Sequence, residues 1–438
     1  MISKEYRKII IAIVLAFCGF LIADITFNTT QSILIGIVVL LVTLWSNEAL
    51  PLGVVSLLPI VLFPAFDILS AKATTMNYSK TIIFLFMGGF LLAIAVEKIG
   101  LHKVIAHKLL QVFPKSARGI IFALSITSAL LSSLLSNTTT ALLLMSIALF
   151  LTDDKGLKVR LVLAVAYGAS IGGIITPIGT PPNLILMGFL DDNALEKLSF
   201  ISWMGKTIPL AFVMLMVVSY ILSLGVQDKK IELLSKTITL DGEQKRMRNI
   251  LIGLVVVLFA NSFFKFSSDA IILLSFGLIM FLPTIGFLKW EDSKKIPYEV
   301  IFLFGAGFSI ASAFGHTGLA NAISQLLLNL TTLSPIMLIL IVATMITFTT
   351  EVTSNTALIS IALPIIFSLG QSANIDTSLL LMVATICASY AFMLPIATPP
   401  NAIAMSSRVL SIKDMAKFGI LFNIIAILLT TTIAMLWW

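Results

Sequence analysis

Charge is what this sequence has least of. Only 11% of its 438 residues are Asp, Glu, Lys or Arg, against roughly 25% in an average soluble protein. Lys and Arg are missing altogether from 119–154, from 161–196 and from the long stretch 296–407. Such a composition excludes a disordered chain and a soluble nucleic-acid binder. Cysteine is also scarce. Cys18 and Cys387 both lie inside apolar runs, which excludes a secreted disulfide scaffold and suggests no metal site. The three histidines, His102, His107 and His316, have no metal-ligand spacing with one another or with a cysteine. No Gly-rich phosphate loop, catalytic triad or paired carboxylate occupies a polar segment, which argues against an ATP-driven pump and against an enzyme.

What fills the chain is apolar. Hydrophobic residues make up 58% of it, and the mean hydropathy is +1.08. A soluble fold has too little interior for so much apolar surface, so lipid is the expected solvent. The expected class is an all-α polytopic membrane protein. The opening MISKEYRK leads into an apolar run from Ile9. No small-x-small cleavage pattern closes that run, and Phe17 before Cys18 spoils a lipoprotein reading, so it is read as an uncleaved first helix. About 20 apolar residues cross the hydrocarbon core. Eleven crossings are expected, at 9–27, 31–47, 51–67, 81–97, 161–190, 201–225, 249–265, 269–287, 298–314, 378–406 and 415–438. Segment 98–113 reads as an interfacial helix, and 226–248 as a polar loop between two halves.

Two apolar stretches, 119–151 and 331–370, do not fit as single crossings. The first would be ~50 Å long as one helix, and basic residues flank both of its ends. It is read as a re-entrant hairpin opening inward, and the second as its outward counterpart. The loops then alternate: 23 of the 28 Lys and Arg gather on one side, leaving Lys72, Lys80, Lys197, Lys206 and Lys265 on the other. The positive-inside rule makes the first side cytoplasmic, with the N-terminus inside and the C-terminus outside a cytoplasmic membrane. The terminal Trp437 and Trp438 suit the outer interface.

The chain also repeats itself. At a constant offset of 218, IFLFMGGFLLAIAVEKIGL (83–101) matches IFLFGAGFSIASAFGHTGL (301–319), SNT at 136–138 matches SNT at 354–356, and PIGTPPN (177–183) matches PIATPPN (395–401). Each copy holds five crossings and a hairpin, and an odd number of crossings inverts the second copy. Inverted repeats are the usual plan of secondary transporters.

The repeated motifs have a chemistry. Ser, Asn and Thr are favoured helix N-caps, so each SNT sits at a hairpin tip and starts a helix whose free N–H groups suit an anion. The proline pair of TPPN removes N–H donors and breaks its helix. The half before the break offers carbonyls to a cation, and the half after it offers N–H groups to an anion. With no Lys or Arg nearby, hydroxyls, amides, helix ends and bound cations must hold the substrate. That fits a small anion carried with sodium.

The SNT tips and the GTPPN and ATPPN breaks resemble the divalent anion/sodium symporter family over about residues 9–438. The resemblance implies an inverted-repeat transporter with 11 transmembrane helices and two re-entrant hairpins. It also implies a homodimer in membrane lipid and a transport domain that slides against a scaffold in an elevator motion. The scaffold would comprise 1–112 and, together with the linker, 227–325; the transport parts would be 113–226 and 326–438. By resemblance, one sodium site uses Ser132, Ser136, Asn137 and the Gly179 carbonyl, and a second uses Thr350, Thr353, Asn355 and the Ala397 carbonyl. Substrate would meet Ser136, Asn137, Thr138, Thr180 and Pro181 from one copy, and Ser354, Asn355, Thr356, Thr398 and Pro399 from the other. The implied function is sodium-coupled carriage of a di- or tricarboxylate such as succinate, with no organic cofactor and no nucleic-acid partner. A carboxylate exchanger and a carrier of sulfate or another inorganic anion are the rival readings. Glu351 is the only acid deep in a hairpin. It would tune a cation or carry a proton, or else brace the tip; its repeat counterpart is Ser133, which favours bracing.

Overall fold

The computed structural model of the protein describes residues 4–227, 239–327, 333–373 and 375–438. Lys229, Lys230 and Lys236, residues 228–238 of the expected linker, and positions 331–332 of the second apolar stretch lie outside them. Among the described residues the fold is helical, with no strand. Eight helical segments among the described residues are long and apolar enough to cross a membrane, from Glu5–Ala23 and Thr29–Asn47 to Ile412–Trp437.

Most helices begin where a short polar side chain can accept a free backbone N–H. Asn28 and Gln31 form a capping box at the start of α2 (Thr29–Asn47), and Asp241 and Gln244 do so for α12 (Gly242–Phe264). Helix α12 therefore starts well before the apolar run at 249, and the last seven residues of the expected loop 226–248 are helical. Expected crossing 269–287 is also revised. Helix α13 (Asp269–Ile279) stops early, because Pro283 has no N–H to continue it and Thr284 adopts a φ of 67°. The chain turns back so that the N–H groups of Phe287 and Leu288 both reach the Met280 carbonyl, each at 2.8 Å. The expected interfacial helix is α6 (Leu101–Val112). Gly100 before α6 and Gly318 before α15 (Leu319–Leu326) are repeat counterparts. Both have φ +69°, a left-handed corner that only glycine adopts without strain.

The chain divides into two compact units. One comprises Met1–Ile83, Leu184–Lys197 and Pro297–Ala388; the other comprises Phe84–Asn183, Leu198–Ile296 and Ser389–Trp438. In the first, α2, α3 (Leu52–Ala65) and α14 (Tyr298–His316) share a core that includes Leu34, Leu41, Trp45, Phe63, Ile310 and Phe314. The Tyr78 hydroxyl donates to the Ser56 carbonyl at 2.6 Å, and Gly305 leaves room for its ring. The hairpin arms α16 (Pro335–Thr350) and α17 (Asn355–Ser372) both pack on α18 (Thr377–Ala388).

The second unit repeats that arrangement: arms α7 (Ala117–Ser132) and α8 (Asn137–Phe150) pack on α9 (Lys155–Gly172). Gly168 and Gly172 form a small-xxx-small face, and a Cβ on Gly172 would collide with the Ala129 backbone of α7. Ser128 donates across this contact to the Val165 carbonyl at 2.7 Å. In the same unit, Lys98 pairs with Asp292 at 2.5 Å. The Lys289 N–H, and then Lys98, hold the Asp292 carboxyl below the usual carboxylate range.

The glycine face yields a paired expectation. Gly172→Ala should lower stability by about 1–3 kcal/mol, because the added methyl overpacks α7 against α9. Gly315→Ala, on an exposed helical turn with nothing within 4 Å of its Cβ, should be neutral or stabilising by up to ~1 kcal/mol. Melting of the detergent-solubilised variants checks both.

Candidate functional site

At the first hairpin tip, α7 ends at Ser132 and α8 starts at Asn137. Ser136 is the N-cap of α8, and its side chain accepts from the Thr139 N–H at 3.1 Å. The buried Ser132 hydroxyl donates to Asn137 Oδ1 at 2.5 Å. The second tip carries the same pair at the same offset, with the Thr350 hydroxyl 2.6 Å from Asn355 Oδ1. That hydroxyl also lies 2.9 Å from the Ala388 carbonyl. Its single proton serves one acceptor at a time, so two oxygens converge on a group that can satisfy only one. Ser354 caps α17, accepting from the Ala357 N–H at 3.5 Å.

The breaks are best read by asking where each backbone carbonyl finds a donor. Helix α9 ends at Gly172 and α10 (Pro181–Asp192) begins at Pro181. Asn183 Nδ2 donates to the carbonyls of Gly173 and Thr176, both at 2.9 Å. Trp203 Nε1, on α11 (Phe200–Ser223), caps the Ile174 carbonyl at 2.9 Å. The Thr207 hydroxyl on the same helix lies 3.1 Å from the Ile175 carbonyl. In a continuous helix, residues 181 and 182 would donate to the carbonyls of 177 and 178, but both are proline. The next donor, the Asn183 N–H, turns to the Thr180 carbonyl at 3.2 Å. The carbonyls of Pro177, Ile178 and Gly179 are left over, and Pro177 and Gly179 belong to buried residues.

The second break, between α18 and α19 (Pro399–Ser406), repeats this in register. Asn401 Nδ2 donates to the carbonyls of Ala391 and Leu394 at 2.9 and 3.1 Å. An aromatic donor again caps the next carbonyl: the Tyr167 hydroxyl reaches that of Phe392 at 3.0 Å. Pro399 and Pro400 remove the donors for 395 and 396, and Thr398 caps α19 by accepting from the Asn401 N–H at 3.4 Å. Helix α19 packs on α8 and α9 within the second unit.

The structure thus brings several of the expected residues together. Ser132 and Asn137 touch directly. A Cβ on Gly173 would stand 3.2 Å from Asn137 Oδ1, and one on Gly179 only 2.5 Å from the Gly173 carbonyl oxygen, so the first tip and the first break lie against one another. Ser136 and Thr138 are exposed, Thr180 is buried and Pro181 is half-buried. At the second tip, Thr350 and Asn355 pair, whereas the Thr353 hydroxyl turns back to the Thr349 carbonyl at 2.8 Å. Thr356 is buried beside it, and Ala397, Thr398 and the exposed Pro399 belong to the other unit. Glu351 is the C-cap of α16 and 3% exposed. Sequence reasoning did not single out the two TPPN asparagines. Their presence in both motif copies was a signal, but their role as donors depends on how the chain folds back. The described residues hold no cluster of His, Cys, Asp or Glu fit for a metal ion.

Comparison with known proteins adds to this geometry. A family model described as citrate transporter matches residues 38–386. The sodium-dependent dicarboxylate transporter SdcS of Staphylococcus saprophyticus subsp. saprophyticus is 32% identical, over 90% of this chain and 84% of its own. SdcS of Staphylococcus aureus is 31% identical, over 89% and 84%. Two solved transporters share the fold at low identity. YdaH of Alcanivorax borkumensis has a TM-score of 0.61 at 14% identity, covering 94% of this chain and 98% of its own. MtrF of Neisseria gonorrhoeae has 0.63 at 13%, covering 95% and 97%.

The shared proton at the second tip is testable without any transport assay. Thr350→Val leaves two acceptors competing for no donor and should cost about 1–3 kcal/mol in sodium-free detergent. Thr344→Val, which removes only a bond to the carbonyl one turn back in its own helix, should change stability by less than about 1 kcal/mol. Thermal unfolding of the two variants distinguishes them.

Proposed function

The chain belongs to the citrate transporter family, whose members are multi-pass membrane transporters and not enzymes, and from that membership we propose that it carries succinate-like di- or tricarboxylates together with sodium. The observation that carries this reading is the set of carbonyls freed by the proline pair beside the Ser132–Asn137 tip, with no basic side chain in 119–154 or 161–196. Carbonyl and amide oxygens are the ligands a hard cation takes. Sodium at Ser132, Ser136, Asn137 and the Gly179 carbonyl then supplies the positive charge that the side chains do not. The N–H groups at the start of α8, with Ser136, Asn137, Thr138, Thr180 and Pro181, receive a carboxylate. In the second copy, Thr350, Thr353, Asn355 and Ala397 take the sodium roles of their counterparts, and Ser354, Asn355, Thr356, Thr398 and Pro399 take the carboxylate roles.

The proposed topology has eleven crossings, two re-entrant hairpins, the N-terminus in the cytoplasm and the C-terminus outside. Hydrogen bonds within each unit support it, because they join gaps that the charge pattern assigns to one side. On the basic side, Gln244 donates to the Ile99 carbonyl at 3.1 Å, Arg160 to that of Leu222 at 2.6 Å and Asn47 to that of Lys8 at 3.1 Å. On the other, Trp438 Nε1 donates to the Lys206 carbonyl at 2.9 Å, Gln31 to that of Thr317 at 3.0 Å, and Lys80 pairs with Asp192. Two Trp indoles of the last helix end meet the carbonyls of Gly205 and Lys206, as interfacial anchors do. A homodimer working by an elevator motion completes the reading, with 1–112 and 227–325 as scaffold and 113–226 and 326–438 as the moving part.

Proteoliposomes decide it. An inward sodium gradient should raise uptake of labelled succinate at least ten-fold over choline. Uptake that ignores sodium and requires internal dicarboxylate would replace coupling with exchange, and uptake competed by sulfate alone would change the substrate. Asn137→Ala and Asn355→Ala should each abolish uptake while the protein still purifies folded; wild-type uptake in either removes that residue from the site.

A further inference from the structure

Asn183 and Asn401 do the same thing twice. Each is the third residue of a restarted helix, and each sends both amide protons back across its break. The acceptors are also repeat counterparts: Gly173 and Thr176 in one copy, Ala391 and Leu394 in the other. Both asparagines are 0% exposed.

The amide orientation follows from the partners. Two carbonyl oxygens can be met only by Nδ2, so Oδ1 points away from them, and in both residues Oδ1 is buried with no hydrogen-bond partner. A buried acceptor without a donor is destabilising. A leucine of similar size would avoid that cost, so what the asparagine contributes at these positions is its pair of N–H donors. They tie the end of one half-helix to the first turn of the next. They also take the carbonyls of 173 and 176, or of 391 and 394, out of the set that an ion could draw on. In the first copy, Trp203 takes the first of the two between, and the Thr207 hydroxyl shares its one proton between the second and the Trp203 carbonyl.

We propose that Asn183 and Asn401 are positioning residues for cation binding, each fixing the three carbonyls left free at its break without itself touching the ion. The first case is the more constrained, because the tied residue Gly173 is also the one that stands against Asn137. A change at Asn183 therefore reaches both the break and the tip. The proposal rests on the sodium-coupled reading above and adds to it a residue outside the expected ligand set.

The test uses the full-length protein in detergent and in proteoliposomes, with Asn183→Leu, Asn401→Leu and Asn183→Asp, the last keeping the shape but not the donors. Sodium chloride against choline chloride is the titrant, read as stabilisation against heat and as the sodium concentration for half-maximal succinate uptake. The expected result is folded protein of wild-type size, at least a ten-fold rise in half-saturating sodium, and maximal uptake at saturating sodium within about two-fold of wild type. Wild-type sodium dependence in the folded variants overturns the proposal. So does loss of the fold in both copies, which would assign the asparagines to folding alone; if only one copy fails to fold, the other decides. A wild-type protein indifferent to sodium would instead overturn the sodium-coupled reading, and this proposal with it.

Discussion

Two adjacent prolines remove two consecutive N–H donors, and the carbonyls those donors would have met must find other partners or none. The site proposed for this protein depends on that local deficit. In an apolar setting a peptide carbonyl without a partner costs several kcal/mol by transfer scales of roughly 2–7. The surrounding helices therefore cap what they can. Trp203, Thr207 and Asn183 serve the first break, and Tyr167 and Asn401 the second. What remains uncapped is the short run that ends at Gly179 or Ala397.

The tips complement the breaks. Each offers a hydroxyl and an amide oxygen held together, Ser132 with Asn137 and Thr350 with Asn355, and each starts a helix whose first N–H groups carry partial positive charge. Acceptors suited to a cation thus lie one turn from donors suited to an anion. A lysine or arginine in place of the ion would hold the anion permanently; a dissociable cation lets binding and release follow the sodium concentration on each side. This is the physical reason that a lack of basic residues and the proposed dependence on sodium belong together.

Much of this was readable in the amino acids. Periodicity and composition locate the helices at 29–47, 81–98, 200–223 and 298–316 within a few residues, and the offset of 218 marks both tips and both breaks. The serines of the SNT motifs cap helices as their chemistry demands. Other features were hidden because they depend on tertiary contact. The early end of α13 follows from Pro283 and Thr284, which a hydropathy run passes over. The seven polar residues before 249 look like loop until Asp241 and Gln244 cap them into α12. Gly168 and Gly172 matter only once α7 lies on α9, and the asparagines of TPPN become donors only when the chain folds back over its own break.

The central claim is that bound sodium supplies the charge that the side chains lack. Equilibrium binding of labelled succinate to the purified protein, in sodium chloride and in choline chloride of equal ionic strength, tests it most directly. The account predicts saturable binding in sodium that weakens at least a hundred-fold in choline, since a carboxylate held by helix ends and hydroxyls alone loses its counter-charge. Equal affinity in the two salts would contradict it.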